Sequence, residues 1–117
     1  MTLIWGLRLV FLLLLVGVSA AALMPPGLQE DQMGWLPNDK LMHGVAYATV
    51  STAGLLAFPR WSVVRVMTLL LVHGVGIELV QPLTGRVADL QDILANLAGL
   101  VLGAGLVWIS GQRPKPR

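Results

Sequence analysis

The sequence predicts an all-α integral membrane protein, in which residues 1–117 form a single bundle of four transmembrane helices. Mean hydropathy is high, at +0.75. Hydrophobic residues make up 56% of the chain, while charged residues make up only 12%. Four apolar runs each approach the roughly 20 residues that a helix needs to cross the hydrocarbon core. Because lipid offers no hydrogen-bond partners to the backbone, each run is expected to be helical.

Prolines and glycines separate the four predicted spans. The spans lie at about 3–24, 41–58, 61–80 and 90–110. Pro25 and Pro26 follow the first span, Pro59 occupies a very short second connection, and Pro82 with Gly85 makes the third turn. These residues interrupt helices and favour turns.

The first span also has features of a secretory signal. Arg8, the run VFLLLLVGV and the small residues SAAA match a charged segment, an apolar segment and a cleavage site. We favour a retained helix, because the apolar stretch begins before Arg8 and the Arg8 side chain can extend to the membrane surface. A three-helix remainder would also have less apolar surface to pack.

The distribution of charge predicts the orientation of the bundle. With the N terminus in the cytoplasm, six basic residues lie on the cytoplasmic side and two, Lys40 and Arg86, lie outside. All six acidic residues fall on the outer side. Short loops rich in lysine and arginine stay in the cytoplasm, so we predict an N-in, C-in protein of the cytoplasmic (inner) membrane.

Several classes of function are disfavoured by composition. The chain has no cysteine, which excludes disulfides and thiolate metal sites. Its few basic residues are scattered, so nucleic acid is not an expected partner. The carboxylates could hold a divalent cation, but no spacing of the H-E-x-x-H kind is present. From the sequence we therefore assign no metal and no cofactor.

Polar residues recur at helical spacing on the second and third spans. Asp39, His43 and Tyr47 are spaced i, i+4, i+8 and share one stripe, beside Lys40. Near the end of the third span, Glu78 and Gln81 are spaced i, i+3. His73 lies in the middle of that span and is expected to be only a buried polar contact.

The turn and the fourth span carry a second polar group. Asp89, Asp92 and Asn96 share a face at i, i+3, i+7, and Asp89 stands where a helix-capping acid is expected.

The predicted topology places these residues, Arg86 and the earlier stripe at the outer end of the bundle, so we expect one cluster. Charges in a membrane must face the interior and pair, which makes Lys40 and Arg86 the expected counter-ions. Small residues, including a G-x-x-x-G at Gly99 and Gly103, allow close helix packing.

Three ordered motifs resemble the VanZ-like family of small multi-pass membrane proteins. They are DKxxHxxAY from Asp39 to Tyr47, GVGIELVQP around Glu78 and Gln81, and GRxxDxxDxxANxxGxxxG from Gly85 to Gly103. The resemblance covers most of the chain and excludes the first span. It implies a protein linked, in the best-known members, to teicoplanin resistance in the cell envelope.

Two classes of function fit the polar cluster. In the first, an enzyme-like site acts on a polar lipid or cell-envelope precursor, with acid–base roles for Asp39, His43 and Glu78. In the second, a non-catalytic membrane module binds a lipid, a glycopeptide antibiotic or a partner protein, or the cluster is only a structural network. Further residues are predicted to bind the ligand: Lys40, Tyr47, Gln81, Arg86, Asp89, Asp92 and Asn96. The sequence leaves the oligomeric state open.

Overall fold

The computed structural model describes residues 2–28 and 39–112, with the exception of the Asp39 side chain. Among the described residues, four long helices and one short 3-10 helix follow one another. They are α1 (Leu3–Ala22), α2 (Asp39–Ala57), α3 (Val63–Val80), the 3-10 helix (Gln81–Thr84) and α4 (Leu90–Ser110). These ranges contain no strand, so the all-helical prediction is confirmed.

Three of the helical segments are long and apolar enough to cross a membrane. They are Leu3–Ala22, Val63–Thr84 and Leu90–Ser110. Helix α2 occupies the predicted position and has 19 residues, but its first turns carry Asp39, Lys40 and His43, which lower its apolarity. A fourth span at α2 therefore stays a prediction.

Side-chain caps define where two of the helices begin. The Ser62 hydroxyl accepts a hydrogen bond from the Arg65 N–H at 3.2 Å, so α3 begins at Val63. The Asp89 carboxylate accepts from the Gln91 N–H at 2.8 Å, so α4 begins at Leu90. Each cap satisfies an amide that has no partner within its own helix.

Helix α2 lies at the centre of the bundle and packs most extensively against α4. Gly99 and Gly103 make this close approach possible. A Cβ atom at Gly99 would clash with the carbonyl oxygen of Gly44, and one at Gly103 would clash with the Ser51 hydroxyl. The core shared by α2, α3 and α4 has seven buried members: Tyr47, Val50, Leu55, Val66, Leu70, Leu100 and Val107.

The outward faces of the helices are apolar. On α3, Val64 is 74% exposed and Val72 is 63% exposed, and α1 and α4 expose valines and leucines in the same way. Soluble monomers rarely expose contiguous apolar surface on this scale. The surface is the kind that lipid would cover.

The two ends of the bundle differ in chemistry. At one end, Arg8 donates from Nε to the Ala57 carbonyl oxygen at 3.3 Å and its guanidinium lies 5.2 Å from the Phe58 ring centroid. The start of α2, the end of α3 and the start of α4 meet at the opposite end. Their polar side chains form the candidate site.

Candidate functional site

The turn between α3 and α4 brings Arg86 and Asp89 back toward the bundle. Pro82 lies near the start of the 3-10 helix, and Gly85, which caps its C-terminal end, has φ +84°, a conformation that favours glycine. The Arg86 N–H then donates to the Gln81 carbonyl oxygen at 3.1 Å. The chain thereby reverses within a few residues, and Asp89 reaches the start of α4.

Lys40 joins α2 to α4 through two carboxylates. Its ammonium donates to Asp89 Oδ2 at 2.6 Å and to Asp92 Oδ1 at 2.5 Å. Asp89 is 41% exposed and Asp92 only 4%, so Lys40 spans from the rim of the site to its interior. The Lys40 hydrogen bond, followed by the Gln91 N–H, holds the pKa of Asp89 below its usual range.

His43 lies beneath this ion pair and contacts two residues of α4. Its Nδ1 is 2.8 Å from Asn96 Oδ1, and its Nε2 is 3.6 Å from Asp92 Oδ2. Because the Asn96 carbonyl oxygen can only accept, Nδ1 is the donor in this contact. The i, i+4 spacing of Asp92 and Asn96 on α4 lets both reach the same imidazole.

Glu78 completes the interior of the site from α3. The side chain is 3% exposed, and its Oε2 accepts from the Asp89 N–H at 3.1 Å. Its other oxygen, Oε1, is buried and has no hydrogen-bond partner among the residues that the structure describes. One potential ligand atom from each of His43, Glu78 and Asp92 lies within 4.8 Å of the other two.

Gln81 and Arg86 contact the first helix, away from this interior. Gln81 donates from Nε2 to the Ala22 carbonyl oxygen at 3.0 Å, and Arg86 donates to the same oxygen at 2.8 Å. This carbonyl belongs to the last turn of α1, where intrahelical partners are missing. The two side chains thus attach the end of α1 to the polar end of the bundle.

Tyr47 contacts a second polar network, deeper in the bundle. Its hydroxyl is 3.0 Å from His73 Nδ1, and His73 Nε2 is 2.8 Å from Ser19 Oγ. Ser19 donates to the Leu15 carbonyl oxygen at 2.8 Å, so it accepts from His73 Nε2, and Tyr47 donates to His73 Nδ1. His73 is therefore a polar contact, as expected, and it links three helices.

The structure thus brings six of the predicted site residues together at one end of the bundle: Lys40, His43, Glu78, Asp89, Asp92 and Asn96. Tyr47, Gln81 and Arg86 contact other groups, as described above, and the Asp39 side chain lies outside the described residues. Ser19 and the Ala22 carbonyl were not predicted to contact any of the site residues. Ser19 is the only hydroxyl residue within α1, and that isolation was the one available signal.

An apolar groove adjoins the polar residues. It has a volume of about 490 Å³ and lies between α1, α2 and α3. The α1 wall runs from Val10 to Ala22, and His43, Tyr47 and Arg86 are the polar residues of the lining. Val10 is 50% exposed, so this wall is open at the side of the bundle. His43 therefore borders both the groove and the carboxylates.

Comparison of the chain with protein-family models, with curated proteins and with solved structures gives no match. The resemblance to the VanZ-like family thus stays a prediction that rests on the three motifs. The function has to be argued from the site itself.

Proposed function

We propose that this protein is a four-span, VanZ-like protein of the cytoplasmic membrane, with both termini inside, that binds a polar lipid or a lipid-linked cell-envelope precursor. The head group lies at the polar end of the bundle and the hydrocarbon chain lies in the groove. The observation that carries the proposal is an apolar groove of about 490 Å³ with His43 and Arg86 in its lining.

The length of the groove fits a single lipid leaflet. Its α1 wall runs from Val10 to Ala22, and at 1.5 Å per residue these 12 steps correspond to roughly 18 Å. Half of a typical hydrocarbon core is about 15 Å thick. An acyl chain entering from the side can therefore lie along α1 while its head group stays at the membrane surface.

The polar end of the groove favours an anionic head group. Arg86 presents a planar guanidinium, which can donate two parallel hydrogen bonds to phosphate or carboxylate. Its NH1 also donates to Ala22, which fixes the side chain at the end of α1. Lys40 lies at the same end, but its charge is paired with Asp89 and Asp92, so we assign the recognition of the anionic head group to Arg86.

The VanZ-like resemblance adds a proposed context for this binding, which is the cell envelope and tolerance of teicoplanin. The acid–base roles predicted for Asp39, His43 and Glu78 remain predictions within the same site. A purely structural cluster is the competing explanation, and it predicts no lipid in the groove.

Filling the groove tests the proposal. Gly17 lines it, and a Cβ atom at this position meets no atom within 4 Å, so Gly17→Leu adds an apolar side chain to the groove without a clash near the backbone. Leucine is also a better helix former than glycine. We expect this variant to fold and to lose bound phosphatidylglycerol, measured by native mass spectrometry of protein in detergent.

Gly105→Leu provides the matched control. Gly105 is also a mid-helix glycine with open space at its Cβ, but it lies on α4 outside the groove lining. This variant should keep phosphatidylglycerol at the wild-type level. Equal lipid binding by the Gly17 variant and the wild type would show that the groove is not the lipid site.

A further inference from the structure

We propose that His43, Glu78 and Asp92 bind a divalent first-row transition metal ion at the polar end of the bundle. The three side chains come from α2, α3 and α4, and one ligand atom of each lies within 4.8 Å of the others. The proposal goes beyond lipid binding, because the three residues themselves supply the ligands.

The spacing of the ligand atoms suits one metal ion. Nitrogen and oxygen ligands about 2.1 Å from a metal lie roughly 3.0–4.2 Å from each other, depending on the geometry. His43 Nε2 and Asp92 Oδ2 are 3.6 Å apart, which falls within this interval. The largest separation allowed by the cluster, 4.8 Å, exceeds it by about 0.6 Å, an adjustment that a small side-chain rotation supplies.

Each of the three side chains also makes a hydrogen bond to a residue outside the proposed ligand set. His43 Nδ1 bonds Asn96 Oδ1, Asp92 Oδ1 accepts from Lys40, and Glu78 Oε2 accepts from the Asp89 N–H. Metal sites commonly have such outer partners, which fix the orientation of the ligands and the tautomer of the histidine. Beyond these contacts, His43 Nε2 lies 3.6 Å from Asp92 Oδ2, and Glu78 Oε1 has no hydrogen-bond partner among the described residues.

Glu78 supplies a second observation that favours a bound cation. It is 3% exposed, and Oε1 has no hydrogen-bond partner within the described part of the chain. A buried carboxylate oxygen without a partner is costly. At this end of the bundle, the described side chains include three carboxylates, on Glu78, Asp89 and Asp92, and two bases, Lys40 and Arg86. A bound cation offsets both deficits.

The mixture of ligands indicates the class of metal. Calcium and magnesium prefer all-oxygen sites, and magnesium keeps most of its waters. Imidazole combined with carboxylates suits zinc, iron, cobalt or nickel better. Three protein ligands also leave at least one coordination position open, which is typical of a site where a metal contacts water or a substrate.

Zinc binding by the purified protein tests the proposal. Protein stripped with a chelator, equilibrated with Zn²⁺ in detergent and desalted should retain about one zinc ion per chain, measured by inductively coupled plasma mass spectrometry. His43→Asn removes the imidazole nitrogen, and Glu78→Gln removes the negative charge and one of the two carboxylate oxygens, while both keep the approximate shape of the side chain. Each should weaken zinc binding by more than the roughly 10–100-fold typical of losing an outer partner.

Two matched variants control for nonspecific effects. His73→Asn removes the other histidine, and Asp89→Asn removes a neighbouring carboxylate that lies outside the three ligands. Both should retain zinc with affinity within about tenfold of the wild type. Gly17→Leu should also retain zinc, so the metal result can be read whether or not the groove binds lipid.

One measurement needs no variant. Zinc-loaded wild-type protein should melt at a higher temperature than chelated protein, because a ligand that binds only the folded state stabilises it. Wild-type protein that retains no zinc, or that shows no zinc-dependent change in melting temperature, would overturn the proposal. Zinc retention that His43→Asn and Glu78→Gln leave unchanged would overturn it as well.

Discussion

At the scale of single residues, helical spacing predicts which side chains of one helix share a face, but not which neighbouring helix they meet. Asp92 and Asn96 are spaced i, i+4, and both contact His43. Tyr47 lies on the same predicted stripe as His43, yet its hydroxyl contacts His73. The direction of a long side chain depends on how the helices are rotated against each other, and no spacing within α2 encodes that rotation.

The ion pair at the rim gives a prediction about pH. Because the pKa of Asp89 is lowered in the folded state, the pairing contributes fully above the ordinary aspartate pKa of about 3.9 and is lost as the pH falls through the lower, folded value. Lys40→Met removes the largest cause of the lowering. We expect the pKa of Asp89 to rise toward its ordinary range, measured by carbon-13 NMR of side-chain carboxyl groups in detergent.

The variant Asp89→Asn identifies the signal that belongs to Asp89. The Gln91 N–H still donates to Asp89 in the Lys40 variant, so the rise should be partial. An Asp89 titration that is the same with and without Lys40 would contradict the assigned cause.

At the scale of elements, the sequence predicts the helices well because their ends carry local signals. The fourth predicted span, 90–110, coincides with α4, which begins after the Asp89 cap and is followed by the C-cap Gly111 with φ +63°. The 3-10 helix at Gln81–Thr84 was predicted only as a turn, since Pro82 and Gly85 indicate a break without specifying its hydrogen bonds. The polar residues in the first turns of α2 make its apolar run harder to recognise in the sequence. In the structure, α2 nevertheless lies at the centre of the bundle.

The contact between α2 and α4 gives a prediction about stability. Ser51 is fully buried and donates to the Leu100 carbonyl oxygen at 3.1 Å, beside Gly103. In Gly103→Ala, the new methyl group meets the Ser51 hydroxyl and the Ala48 backbone, so the helices must separate. We expect destabilisation by about 3 kcal/mol, the upper end for an overpacked core, measured by unfolding in mixed detergent.

Gly105→Ala is the matched control on the same helix. Its Cβ atom enters open space, so the substitution should be neutral or stabilising by up to about 1 kcal/mol through helix propensity. If the two alanine variants were equally stable, the close approach of α2 and α4 at Gly103 would be wrong.

At the scale of the whole molecule, the groove and the position of α1 are properties of the assembled bundle. No polar motif on α1 predicts its contacts near the candidate site, which are made by a backbone carbonyl, Ala22, and one hydroxyl, Ser19. A carbonyl at a helix end is present in every sequence, so it carries no residue-specific signal. The groove likewise requires the assembled helices, because its lining combines residues of different helices, such as Gly17 of α1 and Ala46 of α2.

The orientation of the bundle gives the last prediction. Arg8 and the 59–60 connection lie at one end and the carboxylate cluster at the other, and six of the eight basic residues belong to the predicted cytoplasmic side. The chain has no cysteine, so an introduced cysteine is the only thiol of this protein that can be labelled. A cysteine in place of Gln29 should react with an impermeant maleimide in intact cells, and one in place of Gln112 should react only after permeabilisation. The reverse pattern would place the groove and the carboxylates on the cytoplasmic side, which would exclude a precursor in the outer leaflet as the ligand.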